Sequence, residues 1–188
     1  MTIETAQWAN QQQTAVLING TISVPWPCQT WHREAIEARL AAGNVINEPQ
    51  PSPYHALVDG AWVLDRDAAA AVMWERIKEH RDRLKSGGVL VDGYWFHSDD
   101  PSRIQQLGLV LMGANLPAFP AGIMWKTLSG AFVEMTPELA TKIFNTLVQT
   151  DTTNFAVAEQ HRLAMEQVDD PLAYDYSAGW LLVYEEGA

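Results

Sequence analysis

Cysteine is almost missing from this chain: Cys28 stands alone among 188 residues. A single thiol cannot close an internal disulfide, and a zinc site built on several cysteines is excluded. The simplest role for Cys28 is that of a small buried apolar side chain. Basic residues are scarce as well, with 12 Lys and Arg against 23 Asp and Glu and a net charge of −11. Nucleic-acid binding needs a basic patch that displaces counterions from phosphate, and the sequence offers none. The same charge works against adhesion to anionic membranes. Beyond Arg162 there is no Lys or Arg, while Glu166, Asp169, Asp170, Asp175, Glu185 and Glu186 follow. That end reads either as a solvated tail or as a strip that docks on a basic partner.

Uninterrupted apolar runs of membrane-spanning length are also lacking. Met1 to Gln13 is polar and has no charged-then-apolar pattern, so no secretory leader is expected. Residues 104–125 carry no charge, a length that would cross a bilayer. Pro117 and Pro120 break this stretch, and Gln105, Gln106 and Asn115 are polar. A short buried helix, a proline turn and a buried strand are expected there, with no membrane insertion.

Catalytic signatures are missing too. The chain has no Gly-x-Ser-x-Gly elbow, no phosphate-cradling glycine loop and no His-Glu-x-x-His. No two of His32, His55, His80, His97 and His161 have metal-ligand spacing on one helix. His97-Ser98-Asp99-Asp100 is the densest polar cluster, but such residues also cap helices. Cys28 with His32 fits no nucleophilic arrangement. No catalytic residue, metal site or cofactor is assigned.

What is present is a recurring two-residue turn between apolar runs. Asn19-Gly20, Asp59-Gly60 and Asp92-Gly93 each sit between β-branched or aromatic flanks, and Ser129-Gly130 is a weaker fourth case. Asn-Gly and Asp-Gly accept the positive φ angles of a type I′ turn, whose twist suits a hairpin. Helices are expected between these hairpins. One runs from Trp31 to Ala42 with Thr30 as N-cap and Gly43 past its end. The prolines 49, 51 and 53 then favour an extended linker. A second helix runs from Asp67 to Lys85, opening on acid and closing on base as the macrodipole favours. A third runs from Asp100 or Pro101 to Ala114 under an Asp99 cap, and a fourth starts at Pro137 under Thr136. Thr150 to Asn154 is a poor helix former, so a bend or break is expected there. Tyr174 to Tyr184 reads as an aromatic strand. The fold class is α+β, with short hairpins alternating with helices and small antiparallel sheets packed on helices. Two domains are expected, 1–65 and 66–188.

Two sets of residues point to other chains. Ala70, Met73, Ile77, His80 and Leu84 recur at intervals of three and four on the second helix, as in a coiled-coil seam. They either pack on their own domain or line the axis of an oligomer, a homotrimer being one possibility. Tryptophan is abundant, with eight residues, and it suits cores and interface anchors alike. Trp8, Tyr174, Tyr176, Trp180 and Tyr184 are the candidates for docking a partner.

The pattern Trp74-Glu75-x-Ile77, His80-Arg81-Asp82-Arg83, Gly87-Gly88-Val89, Val91-Asp92-Gly93-x-x-Phe96-x-Ser98-Asp99 is followed by Ser102-Arg103, Trp125-Lys126 and Phe132-Val133-x-Met135-Thr136. Over about Ala69 to Gln167 it resembles a domain of unknown function found in phage tail-fibre and tail-fibre-assembly proteins. Ala42-Gly43-Asn44 and the preceding hairpin are similar to the N-terminal parts of other small phage tail proteins. The resemblance implies a non-enzymatic protein of the virion tail, at the tail tip, baseplate or fibre-attachment region, acting in host attachment with other tail or fibre proteins as partners. The alternative it implies is a fibre-assembly chaperone, found in the host cytoplasm during assembly and absent from the virion. An envelope-degrading tail enzyme is the remote third reading.

Overall fold

The computed structural model describes residues 2–27, 31–120 and 122–185. Cys28 and the expected cap Thr30 lie outside the described residues. The chain is α+β, with four helices and small antiparallel sheets of two or three strands. It forms two compact units, Met1–Ala68 and Ala69–Ala188, so the border falls in the first turn of the second helix.

In the first unit, β1 (Ala6–Trp8), β2 (Ala15–Ile18) and β3 (Ile22–Pro25) form one antiparallel sheet in that order. The β2–β3 hairpin turns at Asn19 and Gly20, with φ of 50° and 70°. Strand β1 was not legible in advance, and Asn19 explains it. The Asn19 carboxamide oxygen accepts from the backbone N–H groups of Glu4 (2.8 Å) and Thr5 (3.1 Å), and its NH₂ donates to the Thr2 carbonyl. One turn residue thereby holds the chain start beside β2. Ala6, Val16, Ile18 and Val24 bury one sheet face against Ile36 of α1 (Trp31–Ala41). The proline segment is tied down at its start, where Asn47 exchanges backbone hydrogen bonds with Trp8 and Ala6. A second hairpin, β4 (His55–Val58) with β5 (Ala61–Leu64), closes the unit. Its turn residue Asp59 also has positive φ.

The second unit is built along α4 (Pro137–Met165), whose 29 residues make a rod about 43 Å long. Before it come α2 (Arg66–Lys85), the hairpin β6 (Val89–Val91) with β7 (Tyr94–Phe96), α3 (Asp100–Gly113), and the hairpin β8 (Met124–Lys126) with β9 (Phe132–Glu134). Two cores share the rod. Val89, Val91, Phe96 and Met135 pack on Ala140, Ile143 and Leu147 of its first half. Met73 and Ile77 pack on Ala158 and Met165 of its second half.

The bend or break expected in α4 does not take the form of a break, because the helix runs uninterrupted through Thr150 to Asn154. Helix propensity at Thr150 to Asn154 is overridden by tertiary bonds: Asp151 pairs with Arg103, and buried Asn154 accepts from Leu181 N–H. The expected strand over Tyr174 to Tyr184 does not form either. After a single 3-10 turn at Pro171–Ala173, Gly179 takes φ 85°, and the segment bonds to the Asn154 side chain and to the Gly87 carbonyl through Tyr184 N–H. No helix among the described residues is long and apolar enough to cross a membrane.

Candidate functional site

The motif residues of the second unit converge on one junction. Helix α2 ends at Ser86-Gly87-Gly88, with Gly88 at φ 93°. The Ser98 hydroxyl, almost fully buried, accepts from Gly88 N–H and donates to the Lys85 carbonyl, both at 2.8 Å. Arg103 then ties four pieces together. It donates to the carbonyls of Ser98 and Lys85 and grips Asp151 of α4 with two bonds of 2.8 and 3.0 Å. Asp99 caps α3 through Ser102 N–H at 3.0 Å, and that bond, more than any other influence, holds its carboxyl below the usual range. The His97-to-Asp100 cluster thus closes a helix end. Among the described residues, no group of three or more His, Cys, Asp or Glu is placed to hold a metal ion.

Of the two alternatives for the α2 stripe, the structure shows packing within its own unit, where it meets three of the residues named as docking candidates. Met73 (2 % exposed) and Ile77 (0 %) are sealed inside the unit, with Ala70, Tyr174, Tyr176 and Trp180 packed against them. The α2 seam is therefore not open for an oligomer axis, because the C-terminal segment covers it. Trp180 lies between two imidazoles, with ring centroids 5.0 Å from His80 and 5.3 Å from His161. The indole N–H bonds to the carbonyl of Tyr176.

The hydrogen bonds orient both imidazoles. His161 Nε2 lies 2.9 Å from the Ala178 carbonyl, which only accepts, so Nε2 carries the proton. In the neutral ring, Nδ1 then accepts from the Tyr174 hydroxyl at 2.8 Å. His80 Nδ1 faces the Arg83 guanidinium at 3.0 Å and must accept from it. Burial first, then the charges of Arg83 and His161, hold His80 below the ordinary imidazole range. Leu84, the last seam residue, borders a cleft of about 380 Å³ with Trp95, Trp180, Leu182 and Glu185. Tyr184 meets Trp95 edge to face at 6.1 Å. Trp8 belongs to the first unit, where it packs beside the Ala6 and Val16 core.

The surface that the sequence did not announce is on α3. The expected buried helix is buried on one side only. Leu109 and Val110 face the core and Gln106 is enclosed. On the opposite side Ile104 is 72 % exposed and Leu111 66 %, with Leu107 and Met112 also exposed. Its signal was the run of uncharged residues itself, which sets apolar side chains on both the inner and the outer side of the helix. Beside this face an open groove of about 310 Å³ is lined by His97, Ser102, Gln105, Met124, Trp125 and Lys126.

No curated protein and no solved structure matches the chain. The model of a family described as domain of unknown function DUF4376 matches residues 67–178, from the start of α2 into the C-terminal segment. The chain thus belongs to the DUF4376 family, and its second unit carries the family's domain.

Proposed function

We propose that this protein is a non-enzymatic phage tail component, acting at the tail tip, baseplate or fibre-attachment region through protein contacts. The observation that carries this reading is the outward apolar face of α3. Exposed apolar patches mark interaction sites. The motif residues Gly87, Gly88, Ser98, Asp99 and Arg103 support it, because each holds the scaffold together rather than facing a substrate cleft. The sequence pattern over Ala69 to Gln167 supplies the link to phage tails. In the chaperone alternative a fibre would be captured by the outward residues of the acidic segment, since Tyr174, Tyr176 and Trp180 are packed within the unit.

Mass spectrometry of purified infectious particles tests this, with the signal of the chain referenced to a tail protein of known copy number. A fixed number of copies per particle is the expected result. Absence from particles, with the chain recovered on fibre in lysates, would replace the reading with the chaperone.

A further inference from the structure

The cleft beside Leu84 is walled by three elements of the second unit: α2 through His80, β7 through Trp95, and the C-terminal segment through Trp180 and Glu185. Its wall is largely aromatic, and Tyr184 extends it behind Trp95. Its one formal charge is the exposed Glu185 carboxylate, which enters no ion pair among the described residues. No Lys or Arg stands among the lining residues. The adjoining cation, Arg83, lies at His80 Nδ1 and borders a separate groove with Glu79 and Asp82. Burial holds His80 below the ordinary imidazole range, so its ring adds no positive charge at neutral pH.

We propose that this cleft is a docking site for an arginine side chain of a partner protein. The guanidinium lies against the indoles of Trp95 and Trp180 and sets its fork on the Glu185 carboxylate. Three features select that chemistry. An indole attracts a cation to its ring face, more strongly where water is displaced. A guanidinium is planar and weakly hydrated and stacks on such rings, whereas a lysine ammonium holds its water. A free carboxylate then supplies the counter-charge and accepts two parallel bonds. Long-range charge acts in the same direction. The chain carries −11, and no Lys or Arg follows Arg162, so a basic segment is drawn to this end and an acidic one is repelled. At about 380 Å³ the cleft is of a size that takes more than one side chain. Leu84 and Leu182 line the remainder, which residues beside the arginine fill and a free small cation does not. The site is separate from the outward face of α3 and does not depend on the tail reading.

NMR of the full chain, read at the tryptophan indole N–H groups, tests this with acetyl-Leu-Arg-Leu-amide as the probe. Saturable shifts at Trp95 and Trp180, with Trp8 and Trp62 unmoved, are the expected result. The same peptide with citrulline, which keeps the shape and loses the charge, is expected to bind roughly tenfold more weakly. Glu185→Gln is expected to weaken the arginine peptide by about threefold, and Trp95→Leu by about fivefold. Because Glu185 is exposed, the first variant decides the matter even where the second fails to fold. Absence of saturable shifts at Trp95 and Trp180, or equal binding of the arginine and citrulline peptides, overturns the proposal. Shifts spread over all eight indoles would mean general charge attraction and overturn it as well. Agmatine, a guanidinium without flanking residues, is expected to bind more weakly than the peptide. Equal affinity would make this a small-cation site and overturn protein docking.

Discussion

The Tyr174 hydroxyl is hydrogen-bonded to Nδ1 of His161 at 2.8 Å, joining the start of the C-terminal segment to the last turns of α4. With the opposite ring nitrogen on the Ala178 carbonyl, one imidazole fastens that segment at two points. Tyr174→Phe removes the first bond and leaves the ring packing in place. The expected loss is about 1 kcal/mol, read from urea denaturation. A loss no greater than that of an exposed control substitution would show that the bond contributes nothing.

Stability should also fall on mild acidification, and His80 is the residue to test. Its folded-state pKa lies below its ordinary value of 6.5 through burial, Arg83 and His161, so the folded protein holds the neutral ring and the unfolded chain takes up more protons. The contribution is fully present above pH 6.5 and is lost as the pH falls from there through the depressed folded value. The Asp99 contribution has the same sign but is lost only below its ordinary value of 3.8. In His80→Gln, the loss of stability between pH 6.5 and about 4.5 is expected to be smaller than in the wild type. Parallel curves for the two proteins would exclude His80 as the cause.

Arg103 and Asp151 should respond unequally to substitution. Arg103→Met abolishes the grip on Asp151 and the bonds to the Ser98 and Lys85 carbonyls, leaving a partly enclosed carboxylate without its cation. A loss of about 3 kcal/mol is expected. Asp151→Asn leaves the carbonyl bonds intact and is expected to cost about 1 kcal/mol. Denaturation midpoints of the two variants check the order, and equal losses would mean that the ion pair alone matters.

Gly87→Ala should act at a distance in sequence. An added Cβ would run into the Val183 side chain, while the Gly87 carbonyl accepts from Tyr184 N–H. The expected effect is faster hydrogen exchange at Tyr184 with little change at Val89 or Phe96. Uniform acceleration across the unit would instead indicate general destabilisation.

The elements that rest on local chemistry could be read from the sequence. Asn19, Asp59 and Asp92 turn hairpins with positive φ, and Asp99 and Thr136 cap helices followed by proline. What escaped depends on partners distant in the chain. Strand β1 exists because Asn19 reaches back to Glu4 and Thr5, a bond that no local pattern encodes. The unbroken α4 depends on Arg103, 48 positions from Asp151. The seam on α2 was recognised as an apolar stripe, but periodicity does not say what covers it. The cover came from Tyr174, Tyr176 and Trp180, residues assigned to a different surface. On α3 the error ran the other way, since a helix apolar on both faces gives no sign of which one is turned outward.

The uninterrupted α4 rod has a thermodynamic consequence. One core grips its first half and the other its second, and the helical hydrogen bonds run through Thr150 to Asn154 without a joint. Fraying that begins in either core must therefore pull on backbone bonds that the other core shares. The two cores are expected to melt together in one transition, with forms that expose a single core rarely populated.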